Sequence, residues 1–220
     1  EEKQLGNKWD GRSGATMRPY TVKTIDDLKG QVPTAKIGDV ELSRVILGGN
    51  LMNGFAHARD LIYVSKLIRA YHNDDKVFET FQLAEACGMN TIITNPILAG
   101  MINEYWDRSL GNIKFISQCK GNSEQDLLDW VKYSIDHGAC AAYVQGAAAD
   151  SYVRHGQFDR IAKALQLMRD NGLPAGIGGH YIETIMACVE QGFEPDFWMK
   201  TLHNHDYWSA TPHLEKDNVW

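Results

Sequence analysis

The chain has 220 residues, of which 44% are hydrophobic and 23% charged, so it is long enough for one domain with a sizeable core. No apolar run approaches the length of about eighteen residues that a membrane-spanning helix needs. The formal net charge of −6 at pH 7 disfavours an electrostatically driven nucleic-acid binder, which would need a basic face, so no nucleic-acid partner is expected. We therefore expect the partner to be a small-molecule substrate. The sequence leaves open whether the chain forms homo-oligomers and in which cellular compartment it works.

Taken in chain order, the first segment is polar and irregular. Residues 1–34 are interrupted by glycine and proline, which predicts an extended N-terminal arm. A single barrel domain is predicted over residues 35–220. It begins with a short β-hairpin over residues 36–42, whose turn lies at Gly38 and Asp39.

Six short apolar runs follow, and runs of this kind are typical of strands buried on both faces. They lie at residues 45–47, 91–94, 114–117, 141–144, 174–177 and 197–199. Amphipathic helical patterns that end at a glycine lie between several of them. Six βα units in order, without a dinucleotide-binding glycine motif, favour a (β/α)8 TIM barrel over a doubly wound sheet. Because a complete barrel takes about 250 residues, we expect an incomplete barrel and favour C-terminal truncation.

Three segments occur in the order that one known family shows. They are residues 39–48 (DVELSRVILG), 84–90 (AEACGMN) and 164–178 (ALQLMRDNGLPAGIG). Together with the strands around them, they resemble aldo/keto reductases over residues 35–200. The resemblance implies a TIM barrel, a nicotinamide cofactor of the NAD(P) type and carbonyl reduction.

The catalytic residues of that family are matched only in part. Lys120 lies one residue from the position of the family lysine after the third strand. Asn95 follows the second strand, where the family places an aspartate and a tyrosine, and Gln145 lies where it has a histidine. An NAD(P)H-dependent oxidoreductase is therefore kept as an alternative function, with Tyr63 or Tyr71 supplying the tyrosine.

Reactive groups of a TIM barrel lie at the C-terminal ends of its strands. Amide side chains at those ends are predicted to position a hydroxylated substrate such as a sugar or sugar acid. These amides are Asn50, Asn95, Gln118 and Gln145. Arg59, in the long segment after the first strand, suits a substrate carboxylate or phosphate. The simpler interpretation is that each amide caps a loop and that Arg59 pairs with a surface acid.

Two strand ends carry titratable side chains. His180 follows a strand and two glycines, and it is predicted as a general acid/base because imidazole titrates near neutral pH. Lys200 ends the sixth strand and is predicted as a nucleophile towards a carbonyl or as an electrostatic stabiliser. The alternatives are that His180 caps the next helix and that Lys200 pairs with a carboxylate.

A metal site is a further alternative. His203 and His205 form an HxH pair that, with His180, can bind a divalent ion, which would fit a metal-dependent lyase or isomerase. A catalytically inactive, ligand-binding barrel is also kept. The interpretation we favour is a TIM-barrel enzyme that acts on a small polar carbonyl or sugar-like substrate by acid/base or lysine-assisted chemistry.

Overall fold

The computed structural model describes residues 25–27, 30–55 and 63–202. The chain divides into two units, residues 1–31 and residues 32–220. In the first unit the structure describes a 3₁₀ turn, Ile25–Asp27. The predicted division at residue 34 stays a prediction. None of the helices within the described ranges is long and apolar enough to cross a membrane.

The second unit opens with the predicted hairpin. Strands β1 (Thr34–Ile37) and β2 (Val40–Ser43) pair antiparallel, with Ile37 opposite Val40. Gly38 has a φ of +57°, a backbone conformation that glycine adopts without a Cβ penalty. The hairpin prediction is confirmed, including its turn.

All six predicted apolar runs overlap strands. They are β3 (Leu47–Gly48), β4 (Thr91–Thr94), β5 (Lys114–Cys119), β6 (Ala141–Val144), β7 (Ala175–Gly179) and β8 (Phe197–Lys200). They form one parallel sheet in the order β3-β4-β5-β6-β7-β8. Within the described residues, β3 and β8 each pair on one side only, so the sheet is open.

Seven helices lie among these strands in the described residues. They are α1 (Val64–Tyr71), α2 (Asp74–Ala86), α3 (Ala99–Asp107), α4 (Glu124–Asp136), α5 (Gly146–Arg154), α6 (Phe158–Asp170) and α7 (Ile182–Glu190). The backbone N–H of Asp126 donates to the Ser123 side chain at 3.1 Å, as expected of an N-cap. Four of the helices end at a glycine with a positive φ, as the sequence predicts: Gly88, Gly138, Gly172 and Gly192.

The strand order decides the fold class. A doubly wound sheet reverses its order midway, whereas this sheet advances one strand at a time in one direction. Crossovers of constant hand then place the connecting helices on the same face. The packing agrees, because Ile92, Phe115 and Ile177 lie in the clusters that contain the helices. The fold is therefore α/β, with six consecutive strands of a TIM-barrel-type sheet and an added hairpin.

The hairpin covers the opposite face of the sheet at the N-terminal ends of its strands. Leu42 of β2 lies in one buried cluster with Ile116, Ala141 and Tyr143, side chains that point away from the helices. Hydrogen bonds between Ser43 and Asn90 also join the hairpin to the start of β4. It thus closes the end of the sheet opposite the strand termini where the chemistry is expected.

Candidate active site

Polar groups from two neighbouring strands lie at the C-terminal edge of the sheet. His180 directly follows β7, and Lys200 is the last residue of β8. The parallel register pairs Gly179 with Lys200, so the two predicted site residues are neighbours. The structure therefore brings together the two side chains for which the sequence predicts reactive roles.

A buried carboxylate holds the histidine. The Asp150 side chain is 5% exposed, and one of its oxygens lies 2.8 Å from Nδ1 of His180. The backbone N–H of His180 lies 3.2 Å from each carboxylate oxygen, and the Thr184 hydroxyl donates to Asp150 at 2.7 Å. A buried carboxylate is tolerated when several donors satisfy it, as they do here.

The local sequence explains how α5 can approach β7 so closely. A Cβ on Gly178 would lie 2.6 Å from the backbone nitrogen of Gly146 at the start of α5. A Cβ on Gly146 would lie 3.1 Å from Cε1 of His180. These two glycines therefore allow α5 to lie against the end of β7, and this contact carries Asp150 to the imidazole.

The acceptor on Nδ1 defines the histidine chemically. When Nδ1–H is donated to a carboxylate, the ring is fixed in orientation and the tautomer is chosen. The imidazole side chain is 22% exposed, so it lies at the surface of the sheet end and not in the core. Such a fixed and partly accessible imidazole is suited to general acid/base catalysis.

Lys200 does not pair with a described carboxylate, as the alternative interpretation of the sequence expects, but binds backbone carbonyl groups. Its Nζ donates to the backbone carbonyls of His180 and Thr201, each at 2.6 Å. The residue is exposed, and no described carboxylate forms an ion pair with it. The lysine is thus fixed beside His180 at the exposed edge of the described sheet.

The predicted amide residues do not gather around His180. Asn95 accepts from the backbone N–H of Ile97 at 3.0 Å, and Gln145 accepts from that of Ala148 at 3.3 Å, so both serve as caps. Gln118 accepts from the Tyr143 hydroxyl at 3.0 Å on the sheet face that carries the hairpin.

Burial raises the pKa of the Tyr143 phenol above its ordinary value, so the phenol stays protonated and donates the hydrogen bond to Gln118. Asn50, the remaining amide, lies half-buried after β3. Its neighbour Asn53, which was not predicted as a site residue, donates to the Thr94 hydroxyl at 2.7 Å and links the loop after β3 to β4.

Three predicted site residues lie outside the described part of the chain: Arg59, His203 and His205. Within the described ranges, no group of three His, Cys, Asp or Glu side chains could hold a metal ion. The metal hypothesis depends on His203 and His205, so it stays a prediction.

Asp150 and Thr184 are not among the site residues predicted from the sequence. Both come to His180 through the tertiary fold, since Asp150 precedes it by 30 residues. One signal was present, because Asp150 lies between Ala149 and Tyr152 on the buried side of α5. A charged residue at a core position of a helix indicates a buried polar partner.

A cleft of about 640 Å³ lies on another side of α5. Among its lining residues are Lys120, which follows β5, and Gln145, which follows β6. Neither His180 nor Lys200 lines it. The structure thus separates Gln145, a predicted substrate ligand, from the predicted catalytic pair.

Neither a protein-family model nor a curated protein matches the chain. Among solved structures, the chain is similar to the tetrameric deoxyribose phosphate aldolase from Aeropyrum pernix, with 16% identity and a TM-score of 0.37. The match covers 48% of this chain and 45% of that chain, so the shared part spans under half of the aldolase. The aldo/keto reductase resemblance stays a prediction.

Proposed function

We propose that the chain is a TIM-barrel-type enzyme that transfers a proton next to the carbonyl group of a small, polar, sugar-like substrate, as lyases and isomerases do. The observation that carries the proposal is the contact between His180 and Asp150. Because Nδ1 is hydrogen-bonded to a buried carboxylate, Nε2 is the ring nitrogen that would exchange a proton with the substrate. The substrate carbon would have to lie within hydrogen-bond reach of that atom.

Lys200 is assigned the role of electrostatic stabiliser in this proposal. Removing a proton next to a carbonyl puts negative charge on the carbonyl oxygen, and a fixed cation close to that oxygen lowers the barrier. A lysine ammonium has three N–H donors, and two of them go to the carbonyls of His180 and Thr201. These two contacts place the lysine beside His180, where the proposal assigns it the charge-stabilising role.

The proposal is tested by proton exchange, which needs no knowledge of the natural product. The protein is incubated in D₂O with dihydroxyacetone and, separately, with glyceraldehyde, and deuterium incorporation beside the carbonyl is followed by ¹H NMR. His180→Gln is expected to slow the catalysed exchange by a factor of about 10² to 10⁴, the usual contribution of a general base. His155→Gln is the matched control, because His155 is an exposed histidine on the cleft side of α5 whose Nδ1 lies 2.8 Å from the carbonyl of Ser151.

The role of the lysine is tested separately. Lys200→Met is expected to slow exchange by a factor of about 10² to 10³, and Lys132→Met, an exposed lysine on α4, is the control. Borohydride reduction in the presence of either carbonyl compound would trap a Schiff base as a mass increase on Lys200. Trapping there would replace the stabiliser role with the nucleophile role, and exchange that survives His180→Gln would overturn the proposal.

A further inference from the structure

The cleft beside α5 is lined by residues of three helices. It follows the C-terminal ends of β5 and β6 and lies between α4, the length of α5 and the first turn of α6. Its volume of about 640 Å³ is within the range of small-molecule sites, which is about 300 to 1,000 Å³. It therefore has room for a ligand of the size of a monosaccharide derivative.

This cleft is a different place from the proposed active site. Ala148, Ser151 and Tyr152 line the cleft, whereas Gly146 and Asp150 of the same helix contact His180. Residues at these positions of an α-helix point to different sides. A ligand in the cleft would be separated from the imidazole by α5.

The described lining of the cleft carries more positive than negative charge. Lys120 and Arg160 both line it, and neither forms an ion pair with a described carboxylate. The carboxylate of Asp126 also lines the cleft, but one of its oxygens accepts the backbone N–H of Asn122 at 2.8 Å. Lys120 and Arg160 leave one positive charge in excess over Asp126, and this excess favours an anionic ligand.

The arginine is held in place by an aromatic ring. The Arg160 guanidinium lies 5.3 Å from the centroid of Tyr152, a cation–π distance. The Tyr152 hydroxyl donates to the carbonyl of Gly121 at 2.6 Å, which fixes the ring. The guanidinium is therefore positioned before a ligand binds, and preorganisation of this kind lowers the cost of binding.

The rest of the lining suits a hydroxylated body. Ser151 supplies a hydroxyl and Gln145 an amide, both able to bond sugar hydroxyls, and Trp130 supplies an aromatic face. We propose that the cleft binds a phosphomonoester of a small hydroxylated molecule, with Lys120 and Arg160 on the phosphate. This site is separate from the proposed catalytic function and does not depend on it.

The test is a ¹H–¹⁵N NMR titration of the whole chain with glucose 6-phosphate, with glucose and with inorganic phosphate in parallel. Glucose 6-phosphate is expected to shift the signals of Gly121, Ser151 and the Trp130 indole, and to bind at least tenfold more tightly than either fragment. Lys120→Gln is expected to weaken binding at least tenfold, and Lys132→Gln, on the exposed side of α4, to leave it unchanged. His180→Gln, which tests the proposed function, is expected to leave the dissociation constant unchanged.

Four outcomes would overturn the proposal. Equal affinity for inorganic phosphate would reduce the cleft to an ion site, and equal affinity for glucose would remove the role of the cations. Shifts centred on Gly179 and His180 would place the ligand in the active site. Unchanged affinity in Lys120→Gln, with the fold intact by circular dichroism, would contradict the assigned phosphate contact.

Discussion

Nδ1 of His180 lies 2.8 Å from a carboxylate oxygen of Asp150, which precedes it by 30 residues. The contact joins the helix after β6 to the loop after β7, so it links two successive βα units. The same carboxylate accepts the hydroxyl of Thr184 at the start of α7. One buried side chain therefore organises both the candidate active site and the packing of α5 against the sheet.

The first prediction concerns this carboxylate. Asp150→Asn replaces one acceptor oxygen with an NH₂ donor. That donor then faces the N–H groups of His180 or the hydroxyl of Thr184, which are themselves donors and lose their acceptor. Leaving buried donors unsatisfied costs about 1 to 3 kcal/mol, and we expect the free energy of unfolding in urea to fall by that amount. The control is Asp136→Asn at the exposed end of α4, expected to change stability by less than about 0.5 kcal/mol. Equal losses in the two variants would contradict the prediction.

A second prediction concerns the contact between the hairpin and β4. The backbone N–H of Ser43 donates to the Asn90 side chain at 2.7 Å, and the backbone N–H of Asn90 donates to the Ser43 hydroxyl at 3.2 Å. Asn90→Ala leaves the Ser43 N–H without this acceptor, so we expect a loss of about 1 to 3 kcal/mol in unfolding free energy. Chemical denaturation measures it. Asn112→Ala, whose side chain is exposed, is the comparison, and a loss no greater than in that variant would refute the linking role.

A third prediction compares two glycines. A Cβ on Gly121 would lie 2.2 Å from the backbone nitrogen of Leu127, whereas a Cβ on Gly100 would meet nothing within 4 Å. Gly121→Ala is therefore expected to lower the thermal midpoint, because backbone of α4 would have to move. Gly100→Ala, in the first turn of α3, is expected to raise stability by up to about 1 kcal/mol, since alanine favours helix over glycine. The same sign for both variants in a thermal melt would contradict the described packing.

The fourth prediction concerns alkaline pH. Burial is the main cause that raises the pKa of the Cys140 thiol from 9.0 to about 11. Between these two values the unfolded chain loses a proton that the folded chain keeps, so the free energy of unfolding falls as the pH rises from about 9 towards 11. Urea unfolding at pH 7, 9 and 10 should show a shallower decline in Cys140→Ala than in the original chain.

The comparison at pH 7 serves as the control for that experiment. At pH 7 the Cys140 thiol is protonated in both the folded and the unfolded chain, so the difference in stability between the two proteins reports packing alone. If the two proteins decline in parallel from pH 7 to pH 10, the thiol contributes nothing to the pH dependence and the prediction is wrong.

The strands were predictable because their signals are local. Ile92 and Ile116 lie in continuous apolar runs, and such runs are buried whatever the neighbouring strand. The helix ends were predictable for the same reason, since Gly138 and Gly172 provide the left-handed conformation that ends a helix. Even the hairpin turn at Gly38 follows from its own residue type.

The candidate site was predictable only in part. His180 and Lys200 could be named because strand ends of a barrel converge on one edge, a rule of topology that applies to any sequence of this kind. The partner of each could not be named from spacing. Asp150 reaches His180 through the packing of α5 on β7. Lys200 binds backbone carbonyls, and these cannot be predicted from residue type because every residue has one.

The sequence by itself therefore determined the fold class, the hairpin and the edge of the sheet where chemistry is expected, because hydrophobic period and turn residues act over a few positions. Only the tertiary structure decided which polar groups meet. It pairs Asp150 with His180, and it uses Asn95 and Gln145 as helix caps. It also forms the cleft that Lys120 and Arg160 line. The physical reason is that a hydrogen bond needs atoms within about 3 Å, and residues far apart in the chain reach that distance only through the packing of the whole domain.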